Sequence, residues 1–219
     1  MNRPRKIVIV DDHPLFREGM KLLLEKEKIG EVVAQAENGA EFLSLLPSVD
    51  PDLVLMDIDM PVMNGLEATL KGRKMKPGLK ILVITMADGM EHCAEMISAG
   101  AVGFVHKTAD KKTLKKAIET IAAGNNYYSM DILRTLANTP EVREPSIQKS
   151  TDPNLDLSDR ELEVLKYFCL GLSVSEIADK IFRSVKTVEA HRSRLLEKTN
   201  TKNTINLVLF AIKNKLVKI

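Results

Sequence analysis

The sequence predicts an α/β fold, a five-stranded doubly wound parallel sheet, followed by an all-α helix-turn-helix domain of four helices. Three observations carry this. Five short apolar runs, KIVIV, EVVAQA, DLVLM, KILVIT and GFVHK, punctuate the first 122 residues and alternate with stretches of helical spacing. Residues 155 to 219 contain no strand-like alternation and four helical patterns. Between these blocks the periodicity disappears, and a chain of 219 residues exceeds the roughly 100–200 usual for one domain.

The apolar runs are the strands, because parallel strands covered on both faces read as continuous Val/Ile/Leu segments. Between them, Leu15, Met20, Leu23 and Leu24, then Phe42, Leu45 and Leu46, then Leu114, Ile118 and Ile121 recur at helical spacing. Strand, helix, strand, repeated, predicts helices on both faces of a parallel sheet, and ligands of such sheets bind beyond the carboxyl ends of the strands. Residues 123–153 gather Gly124, Asn125, Asn126, Pro140, Pro145 and Pro153 and read as a linker, with room for a short helix around Asp131 to Ala137. Domain one is thus 1–122 and domain two 154–219. Helices are expected over Ser158–Leu170, Val174–Ile181, Val185–Thr199 and Thr204–Lys215; Ser158 with Glu161 fits a capping box, and Ser184 an N-cap.

Composition narrows the function classes. Hydrophobic residues at 44%, charged residues at 28%, 11 Gly and 9 Pro exclude a disordered or collagenous chain. Uncharged stretches such as ISAGAVGFVH fall far short of the 18 or so apolar residues of a membrane span. After Arg3, Arg5 and Lys6 only four apolar residues precede Asp11 and Asp12, too few for a signal-peptide core, so a cytoplasmic protein without a membrane partner is expected. Cys93 and Cys169 stand far apart without a Cys/His cluster and read as buried apolar side chains. Charge is uneven: residues 1–122 hold 17 Lys+Arg against 18 Asp+Glu, residues 154–219 hold 12 against 8. The basic excess of the last third, with Lys180, Arg183, Lys186, Arg192, Arg194, Lys198 and Lys202 close together, fits either a nucleic-acid surface or a solvated helix face.

Three carboxylates fall at strand ends: Asp11 and Asp12 after IVIV, and Asp57 after LVLM. One such Asp reads as a helix cap. Three at one rim repel each other, a penalty that a hard cation removes, and oxygen ligands with room for a phosphate oxygen suit Mg²⁺. Thr85 after ILVI and Lys107 after GFVH add a hydroxyl and an ammonium that donate to an anionic group. Together these describe phosphoryl transfer onto a carboxylate, with Asp57 as nucleophile. A rival enzyme reading takes Asp57-Ile58-Asp59 as the D-x-D nucleophile of haloacid-dehalogenase-like phosphatases. Pro61 stands where that family has Thr or Val, and the other acidic pair precedes the motif.

VDDH at 10–13, LMDIDMPVMNG at 55–65, Thr85, Ala99-Gly100-Ala101 and FVHK at 104–107 resemble the receiver domain of two-component response regulators. The resemblance implies a non-enzymatic regulator whose Asp57 accepts phosphoryl from a sensor histidine kinase. It implies Mg²⁺ held by Asp11, Asp12, Asp57 and the backbone carbonyl of Asp59, a switch pair Thr85 and Phe104, Lys107 on the phosphoryl group, and a loop shaped by Pro61 and Gly65. Three positions depart from the usual pattern: acidic Asp59, bulky Met86 after Thr85, and Phe104 in place of the more frequent Tyr.

In the basic block, two helices joined by Phe182-Arg183-Ser184 have helix-turn-helix spacing. Val188, Leu195 and Leu196 suit the core. Lys186, Glu189, Ala190 and Ser193 share another face that reaches base edges, while Lys186, Thr187, Arg192 and Arg194 suit phosphates. A four-helix protein-interaction module shows similar apolar spacing, and His191 reads as a packed histidine. LSDRELEVL, Gly171-Leu172-Ser173, EIAD and SVKTVEAHRSRLLEK resemble the LuxR/FixJ-type DNA-binding domain that the NarL-like subfamily joins to receivers. Arg183 stands where that family more often has an apolar residue. The resemblance implies transcription regulation through double-stranded promoter DNA and a homodimer formed on phosphorylation.

Overall fold

The computed structural model describes residues 3–86, 92–128, 157–201, 203–214 and 216–217. The chain divides into two compact units, Met1–Ile132 and Leu133–Ile219. In the first, β1 (Lys6–Val10), α1 (Pro14–Lys26), β2 (Glu31–Ala36), α2 (Gly39–Leu45), β3 (Leu53–Met56), α3 (Gly65–Met75), β4 (Ile81–Thr85), α4 (Cys93–Ser98), β5 (Gly103–His106), α5 (Lys111–Ala122) and β6 (Tyr127–Tyr128) follow in order. All strands pair parallel, in the order β2-β1-β3-β4-β5-β6.

Each apolar run forms its strand. Ile7, Ile9, Leu53, Leu55, Leu82, Ile84 and Val105 pack on one face against Leu24 of α1 and Leu114, Ile118 and Ile121 of α5. Residues of the opposite parity, Val8, Val10, Val54, Met56, Ile81, Val83 and Phe104, are equally buried, which a sheet covered on both faces requires. Side-chain caps start three of the crossover helices: Asn38, Asn64 and Asp110 accept from the backbone N–H of Glu41, Glu67 and Thr113 at 3.0, 2.9 and 2.8 Å.

The sheet has six strands rather than five. Tyr127–Tyr128 lies in the stretch that composition reads as linker. Two residues are too short to show alternation, and the strand exists because Tyr127 N–H donates to Val102 O at 3.0 Å and because Tyr128 pairs with Phe104. Residues 129–153 of the predicted linker, Asp131 to Ala137 among them, lie outside the described residues.

The second unit comprises α6 (Asp159–Cys169), α7 (Val174–Lys180), α8 (Val185–Lys198) and α9 (Thr204–Lys213). The first three end one residue earlier than the spacing predicts, and Lys215, the expected end of the fourth, is not among the described residues. Val164, Leu165, Phe168, Ile177, Val188, Leu195, Leu207 and Ala211 form the buried interior; Leu196 is only half-buried. Ser158 and Glu161 make the expected capping box. A second box, Ser173 with Glu176, has the same S-x-x-E spacing.

Glu161 does more than cap. Its Oε2 accepts from Ser158 N–H at 2.9 Å and from Lys198 Nζ at 2.8 Å, tying the start of α6 to the end of α8. Burial pushes the carboxyl up, but the Lys198 and Ser158 hydrogen bonds outweigh it and hold it below the ordinary value of 4.5. A depressed folded value gives stability that is present above the unfolded value and lost as pH falls through the folded one. Acid denaturation of the second unit should therefore begin as pH drops below about 4.5. Glu161→Gln should remove that acid step and cost about 1–3 kcal/mol at neutral pH, both readable by circular dichroism of denaturant series at several pH values.

Candidate phosphoryl-acceptor site and nucleic-acid interface

The rim at the carboxyl ends of β1, β3, β4 and β5 brings Asp11, Asp12, Asp57, Thr85 and Lys107 to one end of the sheet. Asp57 N–H donates to Val10 O at 2.8 Å, which fixes the end of β3 beside the end of β1. Asp57 is 5% and Asp11 1% exposed. Lys107, from the end of β5, donates to Asp57 Oδ2 at 2.7 Å and lies 2.8 Å from Asp11 Oδ2. The other Asp57 oxygen, Oδ1, accepts from Ile58 N–H at 2.8 Å. The Lys107 ammonium also sits 4.9 Å from the centroid of the Phe16 ring. One buried cation thus bridges two buried carboxylates from different strands.

These surroundings set the charge states. Burial raises the Asp57 carboxyl above its ordinary value of 3.8, opposed by the Lys107 hydrogen bond and charge and assisted by the nearby Asp11. Burial pulls the Lys107 ammonium down, but its hydrogen bonds to Asp11 and Asp57 prevail, and its value lies above the ordinary 10.5. Lys107 is therefore a permanent cation at neutral pH.

Asp11, Asp12, His13 and Asp57 offer donor atoms that all lie within 4.8 Å of one another. Asp12 Oδ1 is shielded from solvent and accepts no hydrogen bond, although His13 Nδ1 approaches it to 2.8 Å. Carboxylate oxygens from Asp11, Asp12 and Asp57 gathered this closely are the donor set a hard divalent cation takes, so the residues fit Mg²⁺. The side chain of Asp59 is solvent-exposed and is not among these clustered donors.

His13 is the member of this cluster that sequence reasoning passed over as a site residue. Its N–H donates to Asp11 Oδ1 at 2.9 Å, and its place directly after the two aspartates was the available signal. Arg17 donates to the Asp11 carbonyl.

Thr85 is 1% exposed, and its hydroxyl donates to Met86 O at 3.1 Å. Its strand end reaches the same rim, since Lys107 N–H donates to Thr85 O at 2.8 Å. Among the described residues the hydroxyl makes no hydrogen bond to Asp57. Phe104 is fully buried and stacks on Tyr128 with ring centroids 5.9 Å apart and planes 25° from parallel. Tyr128 OH in turn donates to Ala101 O at 3.3 Å. Pro61 lies in the loop after Asp57 and Gly65 opens α3 at its end, where Gly65 N–H donates to Ile58 O at 2.8 Å.

In the second unit α7 closes as a Schellman turn: Arg183 N–H donates to Ala178 O at 3.0 Å and Phe182 N–H to Asp179 O at 3.3 Å. Phe182 takes the left-handed conformation, φ 51°. Ser184 then caps α8 by accepting from Thr187 N–H at 3.2 Å. On α8, Val188 and Leu195 face inward, whereas Lys186, Glu189, Ala190, Ser193 and Arg194 are exposed and Thr187 and Arg192 half-buried. Every residue assigned to the reading face is therefore on the solvent side. His191 is half-buried with a shielded Nδ1 that has no hydrogen-bond partner, as a packed histidine would be.

Comparison with known proteins assigns each unit to a family. Residues 7–119 match the response regulator receiver domain, and residues 155–211 match the luxR family of bacterial regulatory proteins. The chain belongs to the response regulators that join a receiver to a LuxR-type output domain, that is, to the DNA-binding transcription regulators of two-component systems rather than to classical enzymes. It is 37% identical over 215 residues to the oxygen regulatory protein NreC of Staphylococcus epidermidis ATCC 12228, spanning 97% of this chain and 99% of that one. Against NreC of Staphylococcus aureus NCTC 8325 the identity is 40% over 216 residues, with the same coverage of 97% and 99%. Among solved structures, the RcsB–DNA complex superposes with TM-score 0.58 at 26% identity, over 97% of this chain and 99% of RcsB. A LuxR-family response regulator from Aurantimonas sp. SI85-9A1 gives TM-score 0.58 at 38% identity, over 61% of this chain and 96% of that one. Among the described residues no helix is long and apolar enough to cross a membrane.

Proposed function

We propose that Asp57 accepts a phosphoryl group from a phosphohistidine of a sensor histidine kinase, and that the resulting acyl phosphate promotes pairing of two chains on promoter DNA in the cytoplasm. The receiver, read as residues 1–122, extends through β6; the remainder to 153 is the linker, and 154–219 is the DNA-binding domain. The observation that carries this reading is the Lys107 ammonium bonded to both Asp57 and Asp11. It holds the acceptor carboxylate in place and supplies positive charge where the phosphoryl oxygens arrive.

In the transfer, an Asp57 carboxylate oxygen attacks phosphorus, the new O–P bond forms, and the P–N bond to the kinase imidazole breaks. Asp11, Asp12, Asp57 and the Asp59 carbonyl would hold Mg²⁺, which supplies neutralisation of phosphoryl charge. Thr85 then gives up its bond to Met86 O to donate to a phosphoryl oxygen, with Phe104 as the neighbouring switch residue. Moving a population from 1:99 to 99:1 takes about 5.5 kcal/mol, and a charge-assisted hydrogen bond contributes about 1.5–3. New contacts from Lys107, Thr85 and the metal reach that figure.

On DNA, Lys186, Glu189, Ala190 and Ser193 are assigned to base edges and Lys186, Thr187, Arg192 and Arg194 to phosphates. Two copies on neighbouring half-sites add their binding energies. RcsB, a relative in fold, is described as dimers bound to DNA, which supports the pairing. Asp57→Asn should abolish labelling by acetyl phosphate while the fold persists, and should remove the phosphorylation-dependent gain in DNA binding. Continued labelling of the variant would place the acceptor elsewhere.

A further inference from the structure

Phe182 combines two features that do not arise by default. A bulky aromatic residue is a rare occupant of the left-handed region, yet Phe182 sits there at φ 51°. The position is the residue after the α7 cap, where glycine or asparagine is the ordinary choice. Its side chain is also 89% exposed, the highest value among the exposed large hydrophobic residues described. The ring therefore contributes next to nothing to the interior, and the backbone is strained to present it.

The surroundings specify what it meets. Phe182 directly precedes the start of α8, beside exposed Arg183 and Lys186 and the 45% exposed Val185. From Lys180 to Val188 the chain carries three cations and no acid. The first turn of α8 has no acidic residue either. An apolar protein surface would have to desolvate these cations without compensation. A DNA duplex matches both chemistries, since deoxyribose rings and thymine methyls are apolar and lie between phosphates.

We propose that Phe182 is a DNA-contacting residue that packs against the deoxyribose or thymine-methyl surface at the edge of the groove entered by α8, with Arg183 and Lys186 on the flanking phosphates. This deepens the DNA-binding reading and rests on it. The contact is apolar and reads shape and sugar rather than charge.

The test exploits the opposition between strain and contact. In the full-length protein, Phe182→Gly relieves the backbone and Phe182→Asn keeps a left-handed-tolerant side chain, so neither should lower the melting temperature. Both should weaken binding to short random-sequence DNA duplexes about tenfold, with the slope of log K against log salt unchanged. Arg183→Gln should instead reduce that slope by about 0.9. Binding by wild type and equally tight binding by both Phe182 variants would overturn the proposal while leaving the DNA reading intact. If wild type, with or without acetyl phosphate, binds no duplex, the DNA reading fails and this one with it. Unaltered DNA affinity with an altered oligomer size in light scattering would assign the ring to a contact between copies.

Discussion

Lys107→Met should destabilise the first unit by about 3 kcal/mol in the absence of divalent metal and should nearly abolish acetyl-phosphate labelling. The variant is close in volume but leaves Asp11 and Asp57, 1% and 5% exposed, facing each other without a cation. Removing one partner of a buried ion pair costs about 3–5 kcal/mol, because the remaining charge is neither solvated nor neutralised. The lower figure applies because the site lies at a rim. The wild-type Asp57 carboxyl is already raised by burial, with Lys107 the principal opposing influence; without it the value climbs further. A raised carboxyl gives stability that is present below its unfolded value and lost as pH rises through its folded value. The variant should thus recover toward the wild type on acidification below neutrality. Added Mg²⁺ should stabilise the variant more than the wild type in chemical denaturation, since ligand binding to the folded state alone adds stability by mass action. Equal stability of the two proteins in EDTA at neutral pH would show that the Lys107 bridge is not what supports the acidic rim.

Gly65→Ala should slow labelling about a hundredfold and cost about 1–3 kcal/mol. A Cβ at Gly65 would stand 2.0 Å from the carbonyl oxygen of Asp57 and 3.0 Å from Ile58 Cα. Those atoms are backbone and have no rotamer to escape into. The end of β3 and the start of α3 must separate, and the displaced residue is the phosphoryl acceptor itself. Gly19 is the internal control: it lies exposed on α1 and a Cβ there meets nothing within 4 Å. Gly19→Ala should stabilise by about 0.5–1 kcal/mol and leave labelling alone. Parallel loss of labelling in both variants would mean that the approach at Gly65 is not the cause.

The strands of the first unit were legible because a sheet buried on both faces leaves unbroken apolar runs, and each run ends where its chemistry begins. Asp57 follows LVLM and Lys107 follows GFVH for that reason. That Lys107 bridges Asp57 and Asp11 was not legible, since the contact joins the ends of β5, β3 and β1 and depends on the strand order. β6 escaped because Tyr127 and Tyr128 form only two rungs and owe their conformation to Val102 and Phe104. In the helical unit the Ser158–Glu161 box and the apolar stripe are local and were read, whereas the second box, Ser173 with Glu176, has the same local spacing and went unread. Phe182 was not, because a left-handed aromatic leaves no compositional trace; only the backbone angle and the bare ring reveal it. Lys198 likewise looked like one more cation of a basic face, while its partner Glu161 lies 37 positions earlier.

The stacking of Tyr128 on Phe104 bears on how this protein is divided. A fragment ended at residue 122 would lose the ring that covers Phe104 and would bare the hydrogen-bonding edge of β5, an invitation to pair with another molecule. Carrying the chain past Tyr128 keeps that edge closed, so the natural place to cut lies beyond the second tyrosine.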